Sequence, residues 1–313
     1  MREVVGSNPT ISTSNAAQSG GVLFYIIEFD FICRVCYNYK KLKLKTSKGN
    51  FMLNSVINAV KEAAKLAAGV QFSIENKGSV ANVVTSADVA VQNYLKQKLQ
   101  EIIPSSGFLG EESDIADLES DYIWIVDPID GTMNFTRGIE HSAISVALQY
   151  KGTTVVGVVY NFFTDDLYYA ELGKGAYNNG KQIHASTRSF SEGLLCTAMS
   201  LYKKEYAPVC FDIISELYSQ CNDIRRFGSC ALELCYIAAG KCDLYFELRV
   251  FAWDSAAGEL ILREAGASVY RFFSDKTLEK ALPLIAANNA QNLKIIYDVV
   301  NKYLIKYNLE EKL

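Results

Sequence analysis

The chain has 313 residues, with 31 basic against 35 acidic side chains, a net charge of -4, and 50% hydrophobic content. At roughly 150 residues per domain this length holds about two domains or one large layered one, and 21% charged residues is a globular balance. Disorder, collagen and nucleic-acid binding through bulk positive charge are excluded on those grounds.

The charge is unevenly spread. Residues 1–51 carry seven basic and three acidic side chains, leaving 24 basic against 32 acidic in the rest. Residues 6–19 are polar and aperiodic, and residues 22–32 (VLFYIIEFDFI) form an apolar run broken by Glu28 and Asp30. That run is too short for a bilayer, which needs about 20 apolar residues. It also lacks the basic lead and the cleavage site of a signal peptide. Gly-Ser-Asn-Pro at 6–9 reads like the T-arm of a transfer-RNA gene in translation, so Met52 is an expected start and 1–51 an expected non-native or disordered extension. Cys33 and Cys36 form a CxxC without a second pair at zinc spacing. The other six cysteines, Cys196, Cys210, Cys221, Cys230, Cys235 and Cys242, sit mostly among apolar neighbours and are expected to be reduced core thiols of a cytoplasmic protein.

In the body, Val56, Val60, Ala63, Ala64, Leu66 and Ala67 recur at helical spacing over 54–68. A second helix is capped by Thr85 or Ser86, carries Asp88 in its first turn, repeats Val91, Leu95, Leu99 and Ile102, and stops at Pro104. Strand-type residues dominate 122–127, 142–150, 153–162 and 166–172, and Asn179-Gly180 marks a tight turn. Beyond about residue 185 the pattern alternates: a strand at 194–200, helices at 205–219 and 229–239, a strand at 242–247, a helix at 254–266, a strand at 283–287 and a closing helix from about 290. Antiparallel strands early and alternation late predict a layered α/β fold of two lobes, 52–185 and 186–313, forming one unit.

The most informative stretch is WIVDPIDGTMNF, 124–135. An apolar strand delivers Asp127 at its carboxyl end, Pro128 stops it, and Asp130 returns to the same place ahead of Gly131 and Thr132. Two acids converging there repel each other unless a cation sits between them, and hard oxygen ligands select magnesium or a similar ion. Gly131 lets the backbone approach closely, and the following N–H groups suit a phosphate. Gly110-Glu111-Glu112-Ser113 and Trp253-Asp254 place further carboxylates at element ends. Read alone, Asp88 is equally a first-turn helix acid, Glu112 equally a surface acid, and Trp253 a packing residue. With only His141 and His184, a histidine-based phosphatase has little material.

At these residues the sequence resembles the inositol monophosphatase family of magnesium-dependent, lithium-sensitive phosphatases. GEES, WIVDPIDGTMNF and WDSAAGELILREAG match its three signature blocks in order, and the likeness runs from about residue 54 to 300. The resemblance implies an αβαβα sugar-phosphatase architecture and a homodimer. It implies that Glu111, Asp127 and the Ile129 carbonyl hold a first Mg2+, that Asp127, Asp130 and Asp254 hold a second, and that Glu111 shares a third. Asp88 and Thr132, with Glu111, would orient or activate the attacking water. Lys77 would lie on the mobile loop, and Glu112 would support Glu111. Substrate contacts would come from Asp130, Gly131, Thr132, Gly228, Ser229, Cys230, Glu247 and Asp254.

The expected reaction is direct hydrolysis of inositol monophosphate, or a related polyol or sugar phosphate, by a metal-activated water. A fructose-1,6-bisphosphatase or other sugar or nucleotide phosphatase is the alternative. Ser229 and Cys230 depart from the Thr and Ala usual in animal members, and Met133 is unusual before Asn134. A transcription-associated binding role is known for some bacterial relatives, but the acidic body argues against direct nucleic-acid contact, and nothing points to a membrane.

Overall fold

A computed structural model describes residues 49–69, 73–79, 82–112, 117–199, 203–273 and 278–309. The features noted up to residue 48, Cys33 and Cys36 among them, lie outside the described residues, as does Ser113. Helix α1, Gly49–Gly69, starts earlier than its apolar pattern. It buries Val56, Val60, Ala63, Ala64 and Ala67, while Leu66, counted in that pattern, is exposed. The hairpin of β1, Ile74–Ser79, and β2, Asn82–Thr85, was not predicted, because IENKGS carries a glycine and three polar residues that strands disfavour. Lys77 lies on β1.

Helix α2, Ser86–Ile102, is capped by Thr85. The Thr85 hydroxyl accepts from the Ala87 and Asp88 N–H groups, and the Asp88 carboxylate accepts from the Thr85 N–H at 2.7 Å, a reciprocal capping box. Val91, Leu95 and Leu99 are fully buried, each contributing roughly 1.5–3 kcal/mol by leaving water.

The larger sheet runs in the order β3, Gly107–Gly110; β4, Tyr122–Asp130; β5, Ala143–Tyr150; β6, Thr153–Asn161; β7, Asp166–Glu171; β8, Ala176–Asn178; and β9, Lys181–Ile183. Only β3 with β4 is parallel; every other neighbour pair is antiparallel. The β8–β9 turn is Asn179-Gly180, with φ of +46° and +80°, the backbone that tight hairpins demand. The short helix α3, Thr132–Thr136, follows β4 directly.

The smaller sheet has the order β11-β10-β12-β14-β13. Its strands are β10, Leu194–Ala198; β11, Asp223–Arg225; β12, Leu244–Val250; β13, Ser268–Arg271; and β14, Leu282–Ala287. Between and after them run α4, Ala207–Tyr218; α5, Cys230–Ala238; α6, Ala252–Glu264; and α7, Ala290–Lys306. Parallel pairs join β10 to β11 and β12, while β14 runs antiparallel to β12 and β13. The sequence pattern missed β3, β11 and β13, which are only three or four residues long. Several bounds also move. Pro208 sits in the first turn of α4, where its missing N–H costs nothing. β12 starts at Leu244 rather than 242, because the buried Asp243 carboxylate accepts from the Leu194 N–H at 2.9 Å and the Arg188 Nε at 2.9 Å and so fixes a corner.

The layers follow from strand alternation. Ile123 and Ile125 of β4 join a core with Leu232 and Leu234 of α5, Ile261 of α6, and Tyr245 and Leu284 of the smaller sheet. The helices α5 and α6 are therefore sandwiched between the sheets. Trp124 and Val126, on the opposite face of β4, are equally buried, and α1 and α2 pack on this sheet. On the far side of the smaller sheet, Leu195, Phe246 and Ile285 meet Val209 and Ile213 of α4 and Ile296 and Val300 of α7. The result is a five-layer αβαβα arrangement. Gly157 of β6 makes the fit of α6 possible, since a Cβ there would stand 2.7 Å from the Ala257 carbonyl oxygen.

Candidate active site

An open cavity lies where β4 ends and α5 and α6 begin; Asp127, Asp130, Ser229, Glu247 and Asp254 are among the residues lining it. The strand β4 is apolar up to Val126, then carries Asp127 and Asp130 to its end with a register shift against β5 between them. Ile129 N–H donates to Asp127 Oδ1 at 3.0 Å, folding Pro128 out of the ladder so that both acids fall on one side. Gly131 takes φ +88°, and a Cβ there would stand 3.0 Å from the Gly228 carbonyl oxygen and 3.1 Å from that of His141. No other residue fits this turn without strain.

The turn is tied across the molecule. Asn134 Nδ2 donates to the carbonyls of His141 at 2.8 Å and Phe227 at 2.7 Å, and Ser142 Oγ donates to the Gly131 carbonyl at 2.9 Å. Thr132 Oγ1 lies 3.0 Å from the Ile129 carbonyl and 3.4 Å from Asp88 Oδ1, a possible acceptor for its single proton in either direction. Asp88 thus serves twice, as the capping-box acid of α2 and as the carboxylate beside Thr132.

Asp130 is 8% exposed and meets the start of α5. Its Oδ2 accepts from the Ser229 hydroxyl at 2.6 Å and from the Ala231 N–H at 2.7 Å, while Ser229 Oγ accepts from Leu232 N–H. Burial lifts the Asp130 carboxyl to about 6, the helix-end donors partly offsetting it. Asp127, 2% exposed, is pushed well above the usual range by burial and then by the charges of Glu111, Asp130, Asp254 and Asp88. Asp254 is raised in the same way by burial, Glu111 and Asp130; its Oδ2 accepts from Phe251 N–H at 2.8 Å. Glu247 accepts from the Tyr245 hydroxyl at 2.7 Å, and burial lifts its carboxyl to about 7.

Glu111, Asp127, Ile129, Asp130, Gly131, Thr132, Gly228, Ser229, Cys230, Glu247 and Asp254 all line the cavity. Asp88 reaches it through Thr132. Glu112 is not in the lining; its N–H donates to Gln92 Oε1 at 2.9 Å. Trp253 lines the cavity while stacked on Phe251 at 4.5 Å. His141 stacks on Phe227 at 5.1 Å, outside the lining, and burial lowers its pKa to about 4.

Sequence reasoning missed Lys203, Arg226, Glu233, Arg249 and Phe251, which also line the cavity. Arg249 carried a signal, since it lies two residues past Glu247 on the same strand and alternation puts both on one face. Glu233 carried none. It sits within the apolar run of α5, 1% exposed, and its Oε1 accepts from Phe227 N–H and Gly228 N–H at 3.0 and 2.9 Å.

Among the described residues no three His, Cys, Asp or Glu side chains close into a ready metal-binding group. The donor chemistry nonetheless fits a hard divalent cation. The lining offers only oxygen donors at the relevant positions, and the mutual repulsion that raises Asp127 and Asp254 is what a cation relieves.

The sequence model of the inositol monophosphatase family matches residues 49–304. Nus factor SuhB of Escherichia coli (strain K12) is 37% identical over 230 residues, 71% of this chain and 85% of that protein. The native crystal structure of extragenic suppressor protein suhB from Bartonella henselae superposes with a TM-score of 0.73 at 32% identity, covering 80% of this chain and 98% of that one. The inositol monophosphatase from Anabaena (Nostoc) sp. PCC 7120 gives a TM-score of 0.70 at 26% identity, covering 83% and 97%.

Proposed function

Since the chain belongs to the inositol monophosphatase family, we propose that its cavity hydrolyses phosphate monoesters of polyols, inositol monophosphate foremost, by direct attack of water. The observation that carries this reading is the meeting of Asp127, Asp130, Glu111 and Asp254 in one cavity, with the Thr132 hydroxyl between that cavity and Asp88. The unit responsible is taken as residues 52–313, with lobes meeting near 185.

Glu111, Asp127, the Ile129 carbonyl, Asp130 and Asp254 are the groups to hold two or three Mg2+ ions. Bound there, such ions lower the pKa of water and neutralise charge on the phosphoryl oxygens. The rest is the protein's own work. Asp88 accepts the Thr132 proton, which turns the lone pairs of Thr132 Oγ1 toward the cavity to accept from the attacking water. The water is thereby oriented by a group that cannot itself become charged. Gly131 N–H and the start of α3 face the phosphoryl oxygens, where N–H groups at a helix start favour anions. Glu247, fixed by Tyr245, accepts from polyol hydroxyls, and Gly228, Ser229 and Cys230 form the adjoining wall. Glu112 supports the Glu111 backbone through Gln92, and Lys77 on β1 is assigned to the loop over the site.

Phosphate release from inositol 1-phosphate, compared with fructose 1,6-bisphosphate, histidinol phosphate and 3′-phosphoadenosine 5′-phosphate, tests the reading, with magnesium and with added lithium. The expected order puts inositol 1-phosphate first, with inhibition by lithium; nucleotide preference would overturn it. A cytoplasmic homodimer is the expected state. None of the described helices is long and apolar enough to cross a membrane, and the cysteines of the described residues are free thiols.

The Nus factor names of the relatives favour a second reading, a transcription-associated binding role. Salt-dependent RNA binding by the full chain, retained by a catalytically dead Asp127→Asn variant, would establish that role; no binding at low salt would remove it.

A further inference from the structure

The corner where β12 turns into α6 carries much of the cavity wall, since Glu247, Arg249, Phe251, Trp253 and Asp254 all line it. That corner is held from behind by a residue outside the lining. Arg271, the last residue of β13, pairs with Leu284 of β14, which pairs in turn with Glu247 of β12, so its side chain crosses β14 to reach the corner. Its Nη1 donates to the Val250 carbonyl at 2.9 Å, and its Nη2 donates to Glu259 Oε1 at 2.8 Å and to the Ser255 hydroxyl. Ser255 is fully buried, and its own proton has the Phe251 carbonyl at 3.3 Å and Glu259 Oε1 at 3.1 Å as acceptors. Arg263 stands 3.8 Å from the other Glu259 oxygen.

One guanidinium thus holds the chain on both sides of Phe251–Asp254, with Val250 immediately before, Ser255 immediately after and Glu259 a turn further on. Inside that bracket Asp254 Oδ2 accepts from Phe251 N–H at 2.8 Å, so the carboxylate takes its place from a backbone that the bracket fixes. The ladder of β12 with β14 shifts register between Glu247 and Val250, and a shift of that kind interrupts the sheet locally. A rigid fork of donors can reach a carbonyl, a hydroxyl and a carboxylate together, which the single point charge of a lysine cannot. Groups that orient metal ligands without touching the metal govern its affinity. We infer that Arg271 is a positioning residue of the metal site, setting where Asp254 stands through Val250, Ser255 and Glu259. The inference rests on the metal assignment of the phosphatase reading and extends it to a side chain outside the cavity.

The test is calorimetric titration of the full, metal-free chain with magnesium, well below its melting temperature. Arg271→Met keeps the stem and removes the fork. Its expected effect is a loss of about tenfold in magnesium affinity, the lower end of what such outer groups contribute, and Arg271→Lys is expected to recover part of that loss. Arg271→Met also leaves Glu259 with only the more distant Arg263, so an Arg271→Met, Glu259→Gln variant removes both charges and with them the cost of an unpaired acid. The same loss of affinity is expected there, with thermal melting restored toward that of the unaltered chain. Lys302→Met breaks the 2.6 Å ion pair with Glu216 between α7 and α4; as the control, it should bind magnesium as the unaltered chain does. Unchanged affinity in both Arg271→Met variants, or an equal loss in the control, overturns the role of Arg271 and leaves the phosphatase reading standing. If the unaltered chain binds no magnesium, the metal assignment falls and the role of Arg271 with it. No phosphate release from inositol 1-phosphate by an unaltered chain that does bind magnesium removes the phosphatase reading instead, while the titrations still decide the role of Arg271.

Discussion

The Thr132 hydroxyl meets the Asp88 carboxylate at 3.4 Å, across 44 positions of sequence. The same carboxylate holds the Thr85 N–H that starts α2, so one side chain fixes both a helix end and a hydroxyl at the cavity. Removing the hydroxyl with Thr132→Ala is expected to lower kcat by about 100-fold, the lower end of what a positioned proton acceptor supplies, with KM little changed and thermal stability kept. Thr132→Ser should retain most of the rate. Asp88→Asn should lower kcat comparably and also cost about 1 kcal/mol of stability through the weakened cap. Steady-state kinetics beside thermal melts would separate the two roles.

Asp127 feels the charges of four neighbouring acids, Glu111, Asp130, Asp254 and Asp88, and in the proposed assignment its replacement by asparagine removes the negative charge that would bind the metal. An Asp127→Asn chain is expected to fold, since asparagine keeps the oxygen that accepts from Ile129 N–H, and to show no turnover at any magnesium concentration. Full turnover at saturating magnesium would refute the assignment. Calorimetric titration with magnesium should show weaker binding in the same variant.

Stability should respond to pH in a direction set by the buried acids. Asp127, Asp130, Glu233, Glu247 and Asp254 all have folded-state pKa values raised by burial, to about 6 for Asp130 and about 7 for Glu247. A raised acid holds its proton in the folded chain at pH values where the unfolded chain has lost it. The contribution is therefore present below the unfolded pKa and is lost as pH rises through the folded one. In metal-free buffer the melting temperature should fall between about pH 5 and 8, and magnesium should flatten the decline. A melting temperature that rises over that range without metal would contradict the burial of these groups.

Glu233 offers a second version of the same test, because it is not itself assigned to metal although it lines the same cavity and feels the charge of Asp130. Its Oε1 accepts two backbone N–H groups, while its Oε2 is buried without a hydrogen-bond partner among the described residues. Glu233→Gln keeps the acceptor and removes the charge. It is expected to raise the melting temperature at pH 8 by a few degrees and to leave it nearly unchanged at pH 5, as differential scanning calorimetry would record. Glu233→Ala should destabilise at both pH values by freeing the Phe227–Gly228 backbone.

Gly157→Ala probes how packing positions the site. Its Cβ would stand 2.7 Å from the Ala257 carbonyl oxygen and 3.1 Å from the Ala257 Cα. Both are backbone atoms of α6, so relief must come from the helix moving. Overpacking of this kind costs about 1–3 kcal/mol. Because Asp254 rides on the first turn of α6, the shift should also weaken magnesium affinity, whereas an equally destabilising change in α4 should not.

Much of this protein was legible as sequence, for local reasons. The apolar repeats of α1 and α2, the β-branched and aromatic runs of β4 to β7, the Asn179-Gly180 turn and the Asp-Pro-Ile-Asp-Gly-Thr passage each encode their conformation within a few residues. The signature blocks also carried the family. Tertiary structure alone decided which side chains meet. Asp88 reaches Thr132 because α2 packs on the sheet that ends in Asp130. Asp130 faces the start of α5 because that helix is sandwiched between two sheets. The order of the smaller sheet, with β11 and β13 at its edges, comes from pairings between segments far apart in the chain, which short strands do not announce. Arg226 and Glu233 belong to the cavity for the same reason, since membership of a cavity is set by long-range packing and leaves no periodic trace in the residues themselves.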